Sequence, residues 1–233
     1  MLIVLPPSET KAPGGDGPAL DLEGLGFPAL NPVRSSLIDD LSSLEVPTAL
    51  EVLKISEKLR PEAEANLELR SAPTMPALHR YTGVLFDALS APTLPARAWG
   101  RLAVGSALFG LVRAGDLIPR YRLSGGTRLP DSPTLRARWG GLITEALAEE
   151  DFVVDLRSGA YQNLGRVPGA VTVRVEKDGK VVSHFNKHYK GELARVLAMS
   201  PDTPESVADV AEIARSAGMG IGAFSGFQLT LVV

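Results

Sequence analysis

The chain has 233 residues, about 45% of them hydrophobic and 22% charged, without a Gly/Ser-rich or charge-rich linker, so we expect a single domain over residues 1–233. The absence of cysteine excludes disulfides, thiol nucleophiles and thiolate metal sites, and it fits a reducing compartment. The formal net charge of −3 argues against a dedicated nucleic-acid-binding protein, because such proteins usually carry a positive surplus.

The chain begins with a short apolar run, residues 2–5 (LIVL), which stops at Pro6-Pro7. The run has no basic region before it and is too short for a signal peptide or a membrane span. We therefore predict a buried strand in a cytoplasmic protein with no membrane partner. The following residues 12–18 (APGGDGP) fit neither a helix nor a central strand and predict a long loop.

Helical spacing of apolar residues predicts a series of amphipathic helices. Their approximate ranges are 37–44 after the cap candidates Ser35 and Ser36, 48–60 after Pro47, 76–89, 133–146 with Ser132 as N-cap, 189–198 and 203–216. Short apolar runs predict strands over residues 101–104, 152–156 and 227–233. The resulting class is mixed α/β.

The clearest local pattern is a β-hairpin. Residues 171–177 and 180–185 flank Asp178-Gly179, a dipeptide that supplies the positive φ angles of a type I′ turn. This assignment places Lys187, with His184, His188 and Lys190 beside it, at the end of the second strand. The two histidines would face together only on a helix, so we expect no metal site there.

The segment from residue 97 to 138 is strongly basic. It holds eight arginines against only Asp116 and Asp131, a local charge of about +6. The segment is either a solvated face balanced by acids elsewhere or the wall of an anion-binding cleft. The arginines are Arg97, Arg101, Arg113, Arg120, Arg122, Arg128, Arg136 and Arg138.

Two glycine-containing turns are candidate anion sites. Residues 123–128 (LSGGTR) set two glycines between hydroxyls beside Arg120, Arg122 and Arg128, although the stretch is also compatible with a surface hairpin turn. It is not a P-loop, because the Gly-Lys-Ser/Thr end is missing. Arg157-Ser158-Gly159 follows a predicted strand and either holds an anion or a nucleophile or forms an ordinary strand-to-helix turn.

Eight short motifs in order resemble those of the YaaA family of peroxide-stress proteins. They are residues 1–10 (MLIVLPPSET), 54–58 (KISEK), 81–83 (YTG), 108–110 (LFG), 121–123 (YRL) with Gly126, 138–140 (RWG), 154–161 (VDLRSGAY) and 183–191 (SHFNKHYKG). The resemblance covers most of the chain. It implies an α+β fold in which helices wrap a β core, a link to oxidative stress and to limiting free intracellular iron, and a basic cleft that binds double-stranded DNA.

Two positions depart from the family pattern. Glu9 stands where many relatives have lysine, and Lys11 follows two residues later; Ser124 stands where many relatives have glutamate.

Two hypotheses for the function follow. The first is a DNA-binding stress protein whose cleft contacts the phosphate backbone without reading sequence. The second is an enzyme that acts on a nucleotide, nucleobase or related anionic small molecule in the same cleft. Neither hypothesis requires a cofactor, and we expect a monomer.

The candidate catalytic residues are Ser8, Glu9, Tyr81, Ser158 and Tyr161. In the alternative interpretation, the two tyrosines are buried and their hydroxyls donate structural hydrogen bonds. The candidate anion-binding or DNA-binding residues are Lys11, Arg120, Tyr121, Arg122, Arg128, Arg138, Trp139, Arg157, Lys187 and Lys190.

Overall fold

A computed structural model describes residues 1–182 and 186–233. Its strands are β1 (Leu2–Leu5), β2 (Met75–Pro76), β3 (Leu102–Ser106), β4 (Gly110–Arg113), β5 (Leu117–Ile118), β6 (Val153–Asp155), β7 (Val171–Lys177), β8 (Lys180–Val181) and β9 (Gln228–Val232). The main sheet has the order β4-β3-β1-β6-β7-β8, and β9 pairs with β7. Strands β2 and β5 pair with each other.

Strand β1 lies inside the sheet, between β3 and β6. Both pairings are parallel, and Ile3 lies opposite Leu102 on one side and Val154 on the other. All four side chains of β1 are fully buried. This burial on both faces explains why the strand is a continuous apolar run rather than an alternating one, and it confirms the predicted buried strand.

Helices surround this mixed sheet, which confirms the predicted fold class. They are α1 (Asn31–Ser42), α2 (Val46–Leu53), α3 (Arg60–Glu64), α4 (Ala77–Arg80), α5 (Val84–Leu89), α6 (Ala96–Trp99), α7 (Leu135–Trp139), α8 (Leu142–Ala148), α9 (Gly159–Gln162), α10 (Asn186–Met199) and α11 (Val207–Ser216). Helix α10 packs along α5 and also contacts β1. This packing fixes α5 and α10 close to the carboxyl end of β1.

Two predicted helices are each divided in two by glycines. The helix predicted over residues 76–89 stops at Arg80 and restarts at Val84, because Gly83 has a φ of 95°. The helix predicted over residues 133–146 is broken at Gly140, whose φ is 53°. Helix periodicity continues across both breaks, so the apolar spacing alone did not reveal them.

Two helix starts also differ from the prediction. Helix α1 begins at Asn31 rather than after Ser36, because a proline in the first turn is compatible with a helix start. The N-cap of α7 is Thr134 rather than Ser132, and the Thr134 hydroxyl accepts a hydrogen bond from the Ala137 amide. Residues that can act as an N-cap are common in both stretches, so more than one helix start fitted the sequence.

The predicted hairpin turn is confirmed. Strands β7 and β8 pair antiparallel, and Asp178 and Gly179 have φ angles of 51° and 73°, as a type I′ turn requires. The predicted second strand extended to residue 185, and residues 183–185, which include His184, lie outside the described part of the chain. The prediction that Lys187 ends a strand is wrong, because Lys187 lies in the first turn of α10.

Within residues 1–182 and 186–233, no helix is long and apolar enough to cross a membrane.

The contact between α5 and α10 depends on Gly191. A Cβ at this position would overlap the carbonyl oxygen of Leu85 and lie 2.8 Å from the Cβ of Ala88. We expect Gly191→Ala to lower the free energy of unfolding by about 1–3 kcal/mol, because the two helices must separate. Urea unfolding followed by circular dichroism measures this change.

The matched control for this prediction is Gly100→Ala. Gly100 has helical backbone angles and no atom near an added Cβ, so the substitution is expected to be neutral or mildly stabilising. Equal stability of Gly191→Ala and wild type would contradict the close helix approach.

Candidate functional site

The parallel strands β1, β3 and β6 end at the same edge of the sheet. Pro6 and Pro7 stop the pairing of β1 and lead into the loop that carries Ser8 to Lys11, while β3 ends at Ser106. Ligands of open α/β sheets bind outside the carboxyl ends of such strands. A cleft of about 260 Å³ lies at this edge, and its walls are residues 6–10, residues 82–86 and Lys187.

Lys11 lies behind the loop that forms this cleft and is 8% exposed. Its Nζ donates a 2.9 Å hydrogen bond to the carbonyl oxygen of Ser8 and lies 4.2 Å from the ring centroid of Tyr121. Burial lowers the pKa of the Lys11 amine to about 7, against an opposing effect of the Glu9 carboxylate. Near neutral pH a substantial fraction of this amine is therefore uncharged and able to accept a proton.

Two buried phenols and a hydroxyl form a hydrogen-bonded chain next to Lys11. The hydroxyls of Tyr81 and Tyr121 are 2.7 Å apart, and the Tyr121 hydroxyl is 2.8 Å from Oγ of Ser106. The amide of Phe109 donates to the same Oγ of Ser106. Burial raises the pKa of Tyr81 to about 12 and that of Tyr121 well above its usual value, so both phenols stay protonated and can donate hydrogen bonds.

A guanidinium links the loop after β1 to helix α3. Arg122 contacts Glu9 at 2.9 Å and Glu62 at 2.8 Å, and its backbone exchanges two hydrogen bonds with the side chain of Asn66. Arg120 approaches Glu62 at 3.9 Å. Arg122 therefore holds Glu9 in place, and the two carboxylates offset the charges of the two arginines.

The turn at residues 124–127 contacts α9. The hydroxyls of Ser124 and Thr127 are 3.0 Å apart, and the Gly125 amide donates a 3.3 Å hydrogen bond to the Tyr161 hydroxyl. Burial, and then the charge of Glu9, raises the pKa of Tyr161 well above its ordinary value. The Gly125 amide is therefore occupied by a side chain of the same protein instead of facing solvent.

A family model described as "Peroxide stress protein YaaA" matches residues 1–217 of this chain. A UPF0246 protein of Corynebacterium efficiens is 64% identical to it, with all of both chains covered, and one of Corynebacterium glutamicum is 59% identical with the same coverage. A UPF0246 protein of Streptomyces coelicolor is 41% identical over 96% of this chain and 92% of its own length. This chain belongs to the YaaA family of peroxide-stress proteins.

The structure of this YaaA-family protein brings many of the candidate site residues together. The residues at the carboxyl edge of the sheet are Ser8, Glu9, Lys11, Tyr81, Arg120, Tyr121, Arg122 and Tyr161. Of these, Lys11 has a chemical setting different from the one predicted for it. It was predicted as an anion-binding or DNA-binding residue, and it is buried with a pKa shifted toward neutrality.

Arg138 and Trp139 lie elsewhere, on α7. Trp139 is fully buried, and its indole N–H donates to the carbonyl oxygen of Ala107. Arg138 is ion-paired with Asp40 and donates to the hydroxyl of Ser36 on α1. Both side chains therefore attach α7 to the rest of the protein, and their role in DNA binding stays a prediction.

Arg157 and Lys190 are close to the carboxyl end of β6, but the protein itself uses their charges. The Arg157 guanidinium makes two 2.9 Å hydrogen bonds to Asp155 and donates to the carbonyl oxygen of Gly165. The Nζ of Lys190 donates to the carbonyl oxygen of Leu156, and burial lowers the pKa of Lys190. Both side chains thus bind partners within the protein, and an anion-binding role for them stays a prediction.

Three other candidate residues are exposed. Ser158 precedes α9 and makes no side-chain cap, Arg128 follows the turn at residues 124–127, and Lys187 contributes to the cleft. His188 on α10 contacts Glu192 at 3.3 Å. Among the described residues, no group of three or more His, Asp or Glu side chains converges as a metal site would.

Much of the charge of the basic segment is already compensated. Arg113 is ion-paired with Glu150, and Arg101 donates to the carbonyl oxygens of Leu197 and Ser200. The basic segment is therefore not a continuous surface of unpaired positive charge. Its arginines divide into internally bonded ones and exposed ones such as Arg128 and Arg136.

Sequence reasoning missed several residues of the site. Ser106 ends an apolar strand, and its position at a strand terminus was the only signal for it. Thr10 and Thr82 share a 3.1 Å hydrogen bond although they are 72 residues apart, and Glu62 reaches Arg122 from α3. No local pattern indicates such pairs, because the contact arises only when separate loops meet.

The shifted pKa of Lys11 makes stability depend on pH. Between about pH 7 and pH 10 the folded protein binds fewer protons at Lys11 than the unfolded chain, whose lysine has a pKa of about 10.4. The free energy of unfolding of wild type, measured relative to Lys11→Met, is therefore expected to increase from pH 7 to pH 9, by up to about 1.4 kcal/mol per pH unit. Urea unfolding of both proteins at several pH values measures this difference.

Lys58 is an exposed lysine on the surface and gives the matched control. The difference in unfolding free energy between wild type and Lys58→Met should not change over the same pH range. A difference between wild type and Lys11→Met that is equally independent of pH would show that Lys11 stays protonated in the folded protein.

Proposed function

We propose that this YaaA-family protein serves the peroxide-stress response by acting on an anionic small molecule of nucleotide-like kind at the carboxyl edge of its parallel strands. The observation that carries the proposal is the buried Lys11 amine, which lies over Tyr121 and has a pKa of about 7. Strongly shifted groups at such an edge are typical of reactive sites.

The chemistry of the site is that of a base paired with weak acids. An uncharged Lys11 amine can take a proton from a substrate at neutral pH, which is the condition for an efficient general base. The phenols of Tyr81 and Tyr121 remain protonated, and because they share two hydrogen bonds with Ser106, one of the three hydroxyl protons is left to donate to an oxygen that becomes negative during the reaction. The proposed roles are therefore proton acceptor for Lys11 and oxyanion stabiliser for this chain of hydroxyls.

The charges at the edge support a small ligand more than a long polyanion. The side chain of Glu9 is 49% exposed and stands next to the cleft, with Glu62 behind it. Carboxylates at a rim repel the closely spaced phosphates of a duplex, whereas a small molecule can bind beside them.

Binding of double-stranded DNA without strong sequence specificity, which would help limit damage caused by free intracellular iron, is the second candidate function. Arg128 and Arg136 favour it, because both are exposed and make no ion pair within residues 1–182 and 186–233. The expected partner contact is then with phosphates along the backbone, and binding should weaken steeply with salt. The cytoplasmic location and monomeric state stay predictions.

Amine labelling with acetic anhydride separates the two candidates, because the reagent acylates uncharged amines. Labelling of each lysine at pH 7.5 is read by mass spectrometry with no competitor, with a panel of nucleoside monophosphates, and with a duplex at equal phosphate concentration. We expect slow acylation of Lys11, because it is only 8% exposed, and we expect a mononucleotide but not the duplex to reduce this acylation at least about tenfold. Lys58 reports labelling of an exposed lysine and should not change.

Protection of Lys11 by the duplex, lost at moderate salt and not reproduced by mononucleotides, would favour the DNA function. An unreactive Lys11, or a Lys11 that neither competitor protects, would contradict the small-molecule proposal.

A further inference from the structure

Three hydroxyls meet on one wall of the cleft at the carboxyl end of β1. The Oγ atoms of Ser8 and Thr10 are 3.0 Å apart, and the Thr82 hydroxyl donates a 3.1 Å hydrogen bond to that of Thr10. The Thr10 amide donates to Oγ of Ser8 at 3.2 Å. Two separate chain segments thus place their hydroxyls together, next to the Ser8 carbonyl that accepts from Lys11.

Gly83 keeps these hydroxyls accessible. Its φ is 95°, and a Cβ at this position would lie 3.4 Å from the Thr10 hydroxyl and 3.5 Å from that of Ser8. A larger residue would cover the hydroxyls and would also be strained in this backbone conformation. The glycine therefore leaves the hydroxyls of Ser8 and Thr10 uncovered on this side of the cleft.

A cation in the cleft lining gives an anion a partner at this position. Lys187 of α10 contributes a cation to the lining. Glu9 is the carboxylate of the lining, and Arg122 binds it at 2.9 Å, which offsets its charge. Hydroxyl donors with a nearby ammonium are the groups that hold a tetrahedral oxyanion.

We infer that this cleft binds the terminal phosphate of a phosphomonoester, and this inference rests on the proposed function because the phosphate would be the anionic part of the small molecule acted on beside Lys11. A cleft of about 260 Å³ accepts a phosphate and a small adjoining group. A phosphodiester in a duplex carries a sugar on both sides and can reach only the rim. The apolar side chains of Pro6, Pro7, Val84 and Phe86 complete the lining and suit the organic part next to the phosphate.

Calorimetric titration tests this inference with adenosine 5′-monophosphate, the other nucleoside monophosphates, the matching nucleosides and inorganic phosphate as probes. We expect at least one monophosphate to bind at least about tenfold more tightly than its nucleoside and to be displaced by inorganic phosphate. Thr82→Val keeps the side-chain shape and removes the hydroxyl that donates to Thr10 and orients it, and Lys187→Met removes the cation. Each should weaken monophosphate binding about tenfold, since a hydrogen bond from an oriented hydroxyl or an ammonium to a charged group is worth about 1.5–3 kcal/mol.

Thr48→Val and Lys58→Met are the matched controls, because both residues are exposed and lie outside the cleft lining. Both controls should bind the monophosphate as wild type does. Circular dichroism confirms that all four variants are folded.

Each other outcome overturns the phosphate site in a distinguishable way. Unchanged monophosphate affinity in both Thr82→Val and Lys187→Met would move the phosphate elsewhere and leave the proposed function standing. A nucleoside that binds as tightly as its monophosphate and protects Lys11 from acylation would also overturn the phosphate site and leave the proposed function standing. No binding of any phosphate, together with an unreactive Lys11, would overturn both the phosphate site and the proposed function.

Discussion

The parallel pairing of β1 with both β3 and β6 is the constraint on which the rest of the structure depends. Strand β1 is buried along its whole length. Pro6 and Pro7 follow it and have no amide hydrogen for strand pairing, so the chain leaves the sheet at this point. The loop that follows is held by an isolated antiparallel β-bridge between the backbones of Lys11 and Tyr81. The same pairing brings Ser106, at the end of β3, to this edge. A polar site thus forms directly above the most apolar part of the molecule.

That position explains the unusual chemistry of the site. A lysine amine beside two aromatic rings loses hydration, and one carbonyl hydrogen bond does not replace it, so the charged form is disfavoured. Glu9 would restore the charge if it were unpaired, but Arg122 holds its carboxylate. The ion pairs of Arg122 therefore affect Lys11 indirectly, by setting how much of the Glu9 charge the amine experiences.

The sequence predicted the fold class, the strand β1 and the turn at Asp178-Gly179 because each depends on local signals: an apolar run or a turn dipeptide. It predicted the general region of the site through the residues that follow β1. It did not predict which cations face solvent. Arg157 and Trp139 were predicted to bind an anion or DNA, and the structure gives them Asp155 and the Ala107 carbonyl as partners. A charged residue's partner is set by tertiary contacts, and spacing along the chain carries little information about them.

The most direct test of this account is the pKa of Lys11. Protein labelled with ¹³C- and ¹⁵N-lysine can be titrated by nuclear magnetic resonance, with the Lys11 signal assigned by its loss in Lys11→Arg. We expect the Lys11 amine to titrate with a midpoint of about 7. A Lys11 signal that stays in its protonated form up to about pH 10, as for an ordinary lysine, would contradict the central claim that this edge of the sheet holds a base at neutral pH.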